Sequence, residues 1–128
     1  MREPIWVSAQ VVLTLHDEQL AEHGGRSGAR DLGALDAALH RPLNLSHYGE
    51  PDLADLAASY AYGLAKDHPF TDGNKRVSFV VTYVFLALNG YELAIEGAEA
   101  LTLWLDLTSG AISEQELAAR IRSALVPQ

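Results

Sequence analysis

Residues 77–88 read Val77-Ser78-Phe79-Val80-Val81-Thr82-Tyr83-Val84-Phe85-Leu86-Ala87-Leu88, an almost wholly apolar run. A helix that is apolar on nearly every side has to be surrounded by protein. The run is also shorter than the roughly 18 residues that a membrane-spanning helix needs. It therefore predicts a central core helix, which the pair Asn89-Gly90 ends as a left-handed cap.

A polar turn leads directly into this helix, with the sequence His68-Pro69-Phe70-Thr71-Asp72-Gly73-Asn74-Lys75-Arg76. The start of a helix carries free N–H groups and the positive end of the dipole, so it binds anions. Lys75 and Arg76 would be unfavourable at this end of an ordinary helix. Two cations here indicate a negative ligand, and phosphate is the anion that most often uses helix N–H groups and arginine together.

Five further helices are expected around the central one, at residues 9–23, 32–41, 53–67, 97–108 and 114–126. Four of them follow residues that cap helices, namely Ser8, Asp31, Asp52 and Ser113. Pro42 is expected to stop the second helix, so residues 43–51 are interpreted as a loop or a short extended flap. Residues 91–95 are a short extended piece. The prediction is an all-α bundle of about six helices, formed by a single domain of residues 1–128.

Composition limits the classes of partner. The 128 residues carry a net charge of −8 and contain no cysteine. Acidity repels a nucleic-acid backbone, and the basic residues form no stripe, so direct nucleic-acid binding is not expected. The N-terminus lacks the apolar run of a signal peptide, and no membrane partner is expected. These features suit a cytoplasmic protein.

The polar turn combines a proton acceptor, a carboxylate, an amide and two cations within nine residues. Phosphoryl transfer uses these groups, because it depends on positioning, a base and charge neutralisation. His16 and His23 lie seven residues apart in the first helix without a third metal ligand. We therefore interpret both as surface or cap residues.

The pattern His-x-Phe-x-Asp-Gly-Asn-Lys-Arg resembles the signature of the Fic/Doc superfamily, and Lys75 resembles its death-on-curing (Doc) toxin branch. In most Fic proteins that transfer nucleotidyl groups, glycine stands at the lysine position and a second arginine follows the first by three residues. Here those positions hold Lys75 and Phe79. Upstream, the segments His23-Gly24-Gly25, Arg30-Asp31-Leu32-Gly33 and Arg41-Pro42 also resemble Doc-like proteins, and we interpret Arg30-Asp31-Leu32-Gly33 as a loop-to-helix hinge.

The resemblance implies a role for each residue of the turn. His68 would be the general base that accepts the proton of a protein hydroxyl, and Asp72 would hold Mg²⁺. Phe70 would be a hydrophobic anchor of the motif. The phosphates of ATP would be bound by Gly73, Asn74, Lys75 and Arg76.

The resemblance also implies a function: a toxin that transfers the γ-phosphate of ATP to a hydroxyl of elongation factor Tu and so arrests translation. Its partner would be a Phd-like antitoxin, for which Leu43, Leu45 and Tyr48 are candidate contacts. Two alternatives stay open. One is a nucleotidyl (AMP) transferase of the Fic type, and the other is a non-catalytic module that binds an antitoxin.

Overall fold

A computed structural model describes residues 3–29 and 31–128. Within these residues the chain forms six α-helices and one two-stranded antiparallel sheet. The helices are α1 (Ala9–His23), α2 (Leu32–Tyr48), α3 (Leu53–Asp67), α4 (Asn74–Leu88), α5 (Gly97–Ser109) and α6 (Glu114–Ser123), and the strands are β1 (Tyr91–Leu93) and β2 (Leu125–Pro127). The prediction of an all-α bundle of about six helices is confirmed.

The four predicted cap residues all begin helices. Ser8 accepts a hydrogen bond from the N–H of Val11, and Asp31 accepts one from Ala34. Asp52 and Ser113 each form a full capping box, in which the third helical residue also bonds back to the cap. The starts of α1, α2, α3 and α6 therefore follow from short-range hydrogen bonds that the sequence encodes locally.

The centre of the bundle is shared by α3 and α4, and α3 is the more deeply buried of the two. Ten residues of α3 are buried, against six of α4. Ser78 of α4 forms hydrogen bonds with both α3 and α5. Its hydroxyl donates to the carbonyl of Ala61 in α3 at 2.7 Å and accepts from the indole N–H of Trp104 in α5 at 3.0 Å. This contact fixes α4, whose first residues belong to the polar turn, against α3 and α5.

The prediction that Pro42 ends the second helix is wrong. The helix α2 continues through Pro42 to Tyr48, so residues 43–48 are helical rather than an extended flap. Proline removes one helical hydrogen bond, at a cost of about 3 kcal/mol, but its fixed φ angle is compatible with a helix. Pro42 is buried beside Leu39 on the face that packs against α3, and this burial offsets the lost bond. Only residues 49–52 form the connection to α3.

The predicted end of the last helix is also wrong. The helix α6 ends at Ser123, and residues 125–127 form β2 instead of a further helical turn. Leu125 pairs with Leu93 of β1, within the segment predicted to be extended. This long-range pairing gives the last residues main-chain partners that compete with a helix.

Arg30, the first residue of the expected hinge, lies outside the described residues, whereas Asp31 caps α2. Among the helices formed by residues 3–29 and 31–128, none has the length and apolarity that crossing a membrane would require.

Candidate active site

The first six residues of the polar turn, 68–73, connect α3 to α4, and its last three residues, 74–76, begin α4. His68 is the C-cap of α3 and has a left-handed backbone, with φ 48° and ψ 56°. Pro69 disfavours the right-handed helical region for the residue before it, so the helix has to stop here. A left-handed backbone costs a non-glycine residue about 1–2 kcal/mol, and such strain concentrates at functional sites. The exposed His68 is thereby turned out of the α3 helix at the rim of the turn.

Phe70 anchors the turn in the core, where its side chain is only 1% exposed. The side-chain amide of Asn74 forms two hydrogen bonds with the main chain of Phe70: Nδ2 donates to the Phe70 carbonyl at 3.0 Å, and Oδ1 accepts from the Phe70 N–H at 3.0 Å. On the other side, Phe70 forms an antiparallel bridge with Ala29. The turn is therefore held from within and by the segment that precedes α2.

The start of α4 is open to a ligand. Gly73 is its N-cap with φ 79°, a value that favours glycine, and no side chain caps the helix in the described part of the chain. The first N–H groups of α4 therefore have no helical or side-chain partner. The residues that carry these groups line a cavity of about 580 Å³, whose walls are formed by His68, Thr71, Asp72, Gly73, Asn74, Lys75, Arg76 and Leu101. The structure thus brings every polar residue predicted for the site to one cavity.

The two cations of the site are not neutralised by carboxylates. Neither Lys75 nor Arg76 has an ion pair within residues 3–29 and 31–128. Arg76 instead donates from Nη2 to the carbonyl of Gly24 at 3.3 Å. A charge-assisted bond to a phosphate is shorter and stronger than this contact with a neutral carbonyl. Both side chains are therefore available to an anion in the cavity.

Asp72 has the chemistry of a magnesium ligand. Its Oδ1 accepts from the N–H of Gly73 at 3.1 Å, and its Oδ2 accepts from the N–H of Arg26 at 3.3 Å. Across the described residues, no group of three or more His, Cys, Asp or Glu side chains could enclose a metal ion. Mg²⁺ is commonly bound by one or two carboxylates together with phosphate oxygens and waters, so a single carboxylate beside an anion site fits this ion.

Asn74 also contacts His68, with 3.4 Å between Nδ2 of Asn74 and Nδ1 of His68. The bonds to Phe70 fix which end of the amide faces the ring, and an NH₂ group only donates. Nδ1 of His68 therefore accepts, and the neutral ring carries its proton on Nε2. Because the side chain of Asn74 is occupied by Phe70 and His68, its main-chain N–H is the group that it can offer to a phosphate.

His16 is buried, so the prediction that it is a surface or cap residue is wrong. It is 1% exposed, and its ring lies flat on Phe70 with 3.8 Å between the ring centres. Its Nε2 is 2.7 Å from the carbonyl oxygen of Asp72. The signal was its spacing: His16 follows the buried Val12 by four residues and therefore shares its face of α1. His23, by contrast, is exposed at the end of the same helix.

An apolar groove adjoins the polar cavity and shares Lys75, Arg76 and Leu101 with it. It has a volume of about 380 Å³ and lies between α1, α4 and α5, with Phe79, Val80, Ala100 and Trp104 among its walls. The antitoxin candidates lie elsewhere: Leu45 lines a separate cavity with Glu50 and Pro51, and Tyr48 is 90% exposed at the end of α2.

Comparison with known proteins gives concordant results. A sequence profile described as the Fic/DOC family matches residues 6–86. A protein of Escherichia phage P1 named Protein kinase doc is 30% identical over 117 residues, which cover 91% of this chain and 92% of the relative. A protein of Mycolicibacterium smegmatis (strain ATCC 700084 / mc(2)155) named Toxin Doc is 42% identical over 76 residues, which cover 57% of this chain and 58% of the relative. The profile match includes the whole polar turn.

Proposed function

The chain belongs to the Fic/Doc family, and from this membership we propose that it is a Doc-type toxin with transferase activity. Specifically, it transfers the γ-phosphate of ATP to a hydroxyl of elongation factor Tu in the cytoplasm and so arrests translation. Its activity is restrained by an antitoxin partner of the Phd type. Relatives named as a protein kinase and as a toxin support the two halves of this proposal.

The open start of α4 is the observation that carries the proposal. Among the described residues, the start of α4 has no side-chain cap and its two cations have no carboxylate partner, and these residues line one cavity together with the left-handed Gly73. In an acidic chain with net charge −8, cations left without carboxylates point to an anionic ligand. Main-chain N–H groups and an arginine together suit the oxygens of a polyphosphate.

The proposed reaction needs a proton acceptor and a substrate hydroxyl that is in line with the bond to be broken. The substrate hydroxyl oxygen attacks the γ-phosphorus, its proton passes to His68, and the bond from the γ-phosphorus to the bridging oxygen breaks to release ADP. A histidine ring can accept and release a proton, which suits this role. In the tautomer favoured by Asn74, the lone pair of His68 lies on Nδ1, and the substrate hydroxyl would have to displace the 3.4 Å contact that Nδ2 of Asn74 makes there.

The remaining residues bind and orient the phosphates. Asn74, Lys75 and Arg76 would hold them through main-chain N–H groups and the two cations, and Gly73, which has no side chain, would let them approach the main chain closely. Asp72 would hold Mg²⁺. The ion, when bound, neutralises charge on the phosphate oxygens. Asp72 and Arg76 would exchange their bonds to Arg26 and Gly24 for these ligands.

The apolar groove supports a nucleotide rather than a simple phosphate as the ligand. An adenosine group needs an apolar, partly aromatic surface beside the phosphates, and the groove of about 380 Å³ has the partly exposed Phe79, Val80 and Leu101 in its walls. Lys75 supports transfer of the γ-phosphate. Lys75 places a bulky cation at the position where most Fic proteins that transfer nucleotidyl groups have glycine. It should therefore change the orientation of the ATP phosphates in the site.

ATP labelled on the α- or the γ-phosphate distinguishes nucleotidyl transfer from phosphoryl transfer. The purified chain is incubated with elongation factor Tu, Mg²⁺ and ATP labelled on either the α- or the γ-phosphate. We expect the factor to gain label from the γ position only, and His68→Ala to abolish the transfer. His47→Ala, an exposed histidine at the end of α2, is the matched control and should transfer normally. Label from the α position would instead establish nucleotidyl transfer.

The growth of cells that express the protein distinguishes a toxic enzyme from a non-catalytic binding module. We expect wild-type protein to arrest growth, and His68→Ala to permit it at the same protein level. Co-expression of the antitoxin should rescue the wild type. Equal toxicity of the wild type and His68→Ala would exclude the catalytic account.

A further inference from the structure

His16 contacts the polar turn at the peptide bond between Asp72 and Gly73. Its Nε2 lies 2.7 Å from the Asp72 carbonyl oxygen, and because this oxygen only accepts, Nε2 carries the proton and donates it. The ring is buried and lies against Phe70 with an angle of 10° between the planes. Both the position and the direction of the donor are therefore fixed by packing.

The glycine at position 73 makes such a restraint necessary. Gly73 has φ 79° and takes either sign of φ with little penalty, so its own side of the peptide bond does not prevent a flip. In a trans peptide the carbonyl oxygen and the N–H point in opposite directions. A donor that holds the Asp72 carbonyl therefore also directs the Gly73 N–H, which points to Oδ1 of Asp72 at 3.1 Å.

From this geometry we propose that His16 is a positioning residue of the active site. It holds the peptide between Asp72 and Gly73 in the orientation that opens the start of α4 to phosphate and keeps the Asp72 carboxylate in place. His16 touches no reacting atom and acts through the turn. This inference deepens the proposed function and rests on it, but its effect on the turn can be measured without any turnover.

Two substitutions separate the hydrogen bond from the ring. His16→Phe keeps an aromatic ring against Phe70 but removes the donor. His16→Gln removes the ring but keeps an N–H group at about the reach of Nε2. If the bond to Asp72 is what matters, the glutamine variant should keep most of the activity and the phenylalanine variant should not. A residue that only fills space would give the opposite order.

Val12→Ala is the matched control for stability. Val12 lies one helical turn before His16 on the same buried face of α1, so its truncation weakens the packing of α1 while leaving the donor to Asp72 intact. Loss of activity in this variant would show that any loosening of α1 is sufficient.

The experiment measures three quantities for each variant: kcat/KM for transfer from ATP, the binding of ADP with Mg²⁺ by calorimetry, and the amide resonances of Gly73 and Asn74 in a ¹H–¹⁵N spectrum. For His16→Phe we expect kcat/KM to fall about 100-fold, as a small misplacement of reacting groups can produce. The ADP affinity should fall at least tenfold, and the two resonances should move. His16→Gln should stay within a few fold of the wild type, and Val12→Ala should keep both resonances.

Unchanged resonances and ADP affinity in His16→Phe would overturn the inference, as would an equal loss in Val12→Ala. These outcomes are distinct from failure of the proposed function. If the wild type transfers no phosphate, the resonances of Gly73 and Asn74 still test the restraint. If the wild type is active and His16→Phe is equally active, the proposed function stands and the role of His16 does not.

Discussion

Asn74 encloses the main chain of Phe70 with both ends of its side-chain amide, at 3.0 Å on each side. The two residues are four apart, one in the turn and one at the start of α4. The contact therefore joins the anchor of the turn to the helix whose N–H groups face the cavity. It also directs the second hydrogen of Nδ2 toward Nδ1 of His68, so the Asn74 amide fixes the position of the proposed base relative to the proposed anion site.

We expect Asn74→Ala to lower kcat about 100-fold, since the turn that carries His68 loses its internal clamp. Stability should fall by about 1–3 kcal/mol, the usual range for two hydrogen bonds. Asn89→Ala is the matched control, because Asn89 holds the main chain of Ile5 in the same manner, at 2.8 and 3.0 Å. Transfer kinetics and urea denaturation of both variants would check this. A comparable loss of kcat in Asn89→Ala would contradict a local role for Asn74.

Asn74→Asp tests the contact with His68 through pH. The new carboxylate still accepts from the Phe70 N–H, but it stands beside Nδ1 of His68 and favours the protonated ring. A general base has to be unprotonated, so the acid limb of kcat/KM should move to higher pH. The measurement is a pH profile of the transfer reaction. An acid limb at the wild-type position would argue against His68 as the base.

The left-handed conformation of Gly73 gives a third prediction. Alanine at this position costs about 1 kcal/mol and resists the backbone that opens α4, so Gly73→Ala should lower kcat/KM at least tenfold. Gly110→Ala is the control, because Gly110 has a similar φ of 84° at the end of α5 and also has room for a methyl group. The two variants should lose similar stability, and only Gly73→Ala should lose transfer. Equal kinetics in both would contradict the role of the turn.

Much of this arrangement is encoded locally, and the exceptions have a common cause. Ser8, Asp31, Asp52 and Ser113 mark helix starts because a cap needs only its own neighbours. The turn at His68 and Pro69 follows from proline sterics in the same way. These features depend on residues within one helical turn, so the sequence predicts them.

The wrong predictions concern residues whose conformation depends on contacts with distant parts of the chain. Pro42 is helical because α3 covers it, and Leu125 is extended because Leu93 pairs with it. The polarity of His16 predicts an exposed side chain. In the structure its ring stacks on Phe70 and its N–H donates to the Asp72 carbonyl, so both find partners in the interior. A buried polar side chain is stable only when such partners exist, and they lie more than fifty residues away along the chain.

A fourth prediction concerns the ion pair that joins the start of α3 to α6. Arg122 donates to both carboxylate oxygens of Asp52, at 2.6 and 3.1 Å, and this bonding lowers the pKa of Asp52 from 3.8 to about 2. A lowered pKa stabilises the fold above the unfolded value, and the contribution is lost as the pH falls from about 4 toward 2. The pair is half exposed, so solvent screening limits its contribution to about 1 kcal/mol.

Arg122→Gln should therefore lower the free energy of unfolding at pH 7, and its difference from the wild type should be smaller at pH 3. Urea denaturation at the two pH values in low salt would measure this. Arg120→Gln, which removes a single contact of 3.4 Å with Glu99, should have a smaller effect at pH 7. A difference for Arg122→Gln that does not change between the two pH values would contradict the assignment.

The apolar groove beside the proposed phosphate site gives the last prediction. Leu101 is 55% exposed and lines both the polar cavity and the groove, so Leu101→Asp places a negative charge where a nucleotide would pass from phosphate to base. We expect the KM for ATP to rise at least tenfold, through repulsion of the phosphates and loss of apolar contact. Leu105→Asp, one turn further along α5 and 46% exposed, is outside both linings and should leave the KM unchanged. Because both substitutions add the same charge to the same helix, an equal rise in KM would place the nucleoside elsewhere.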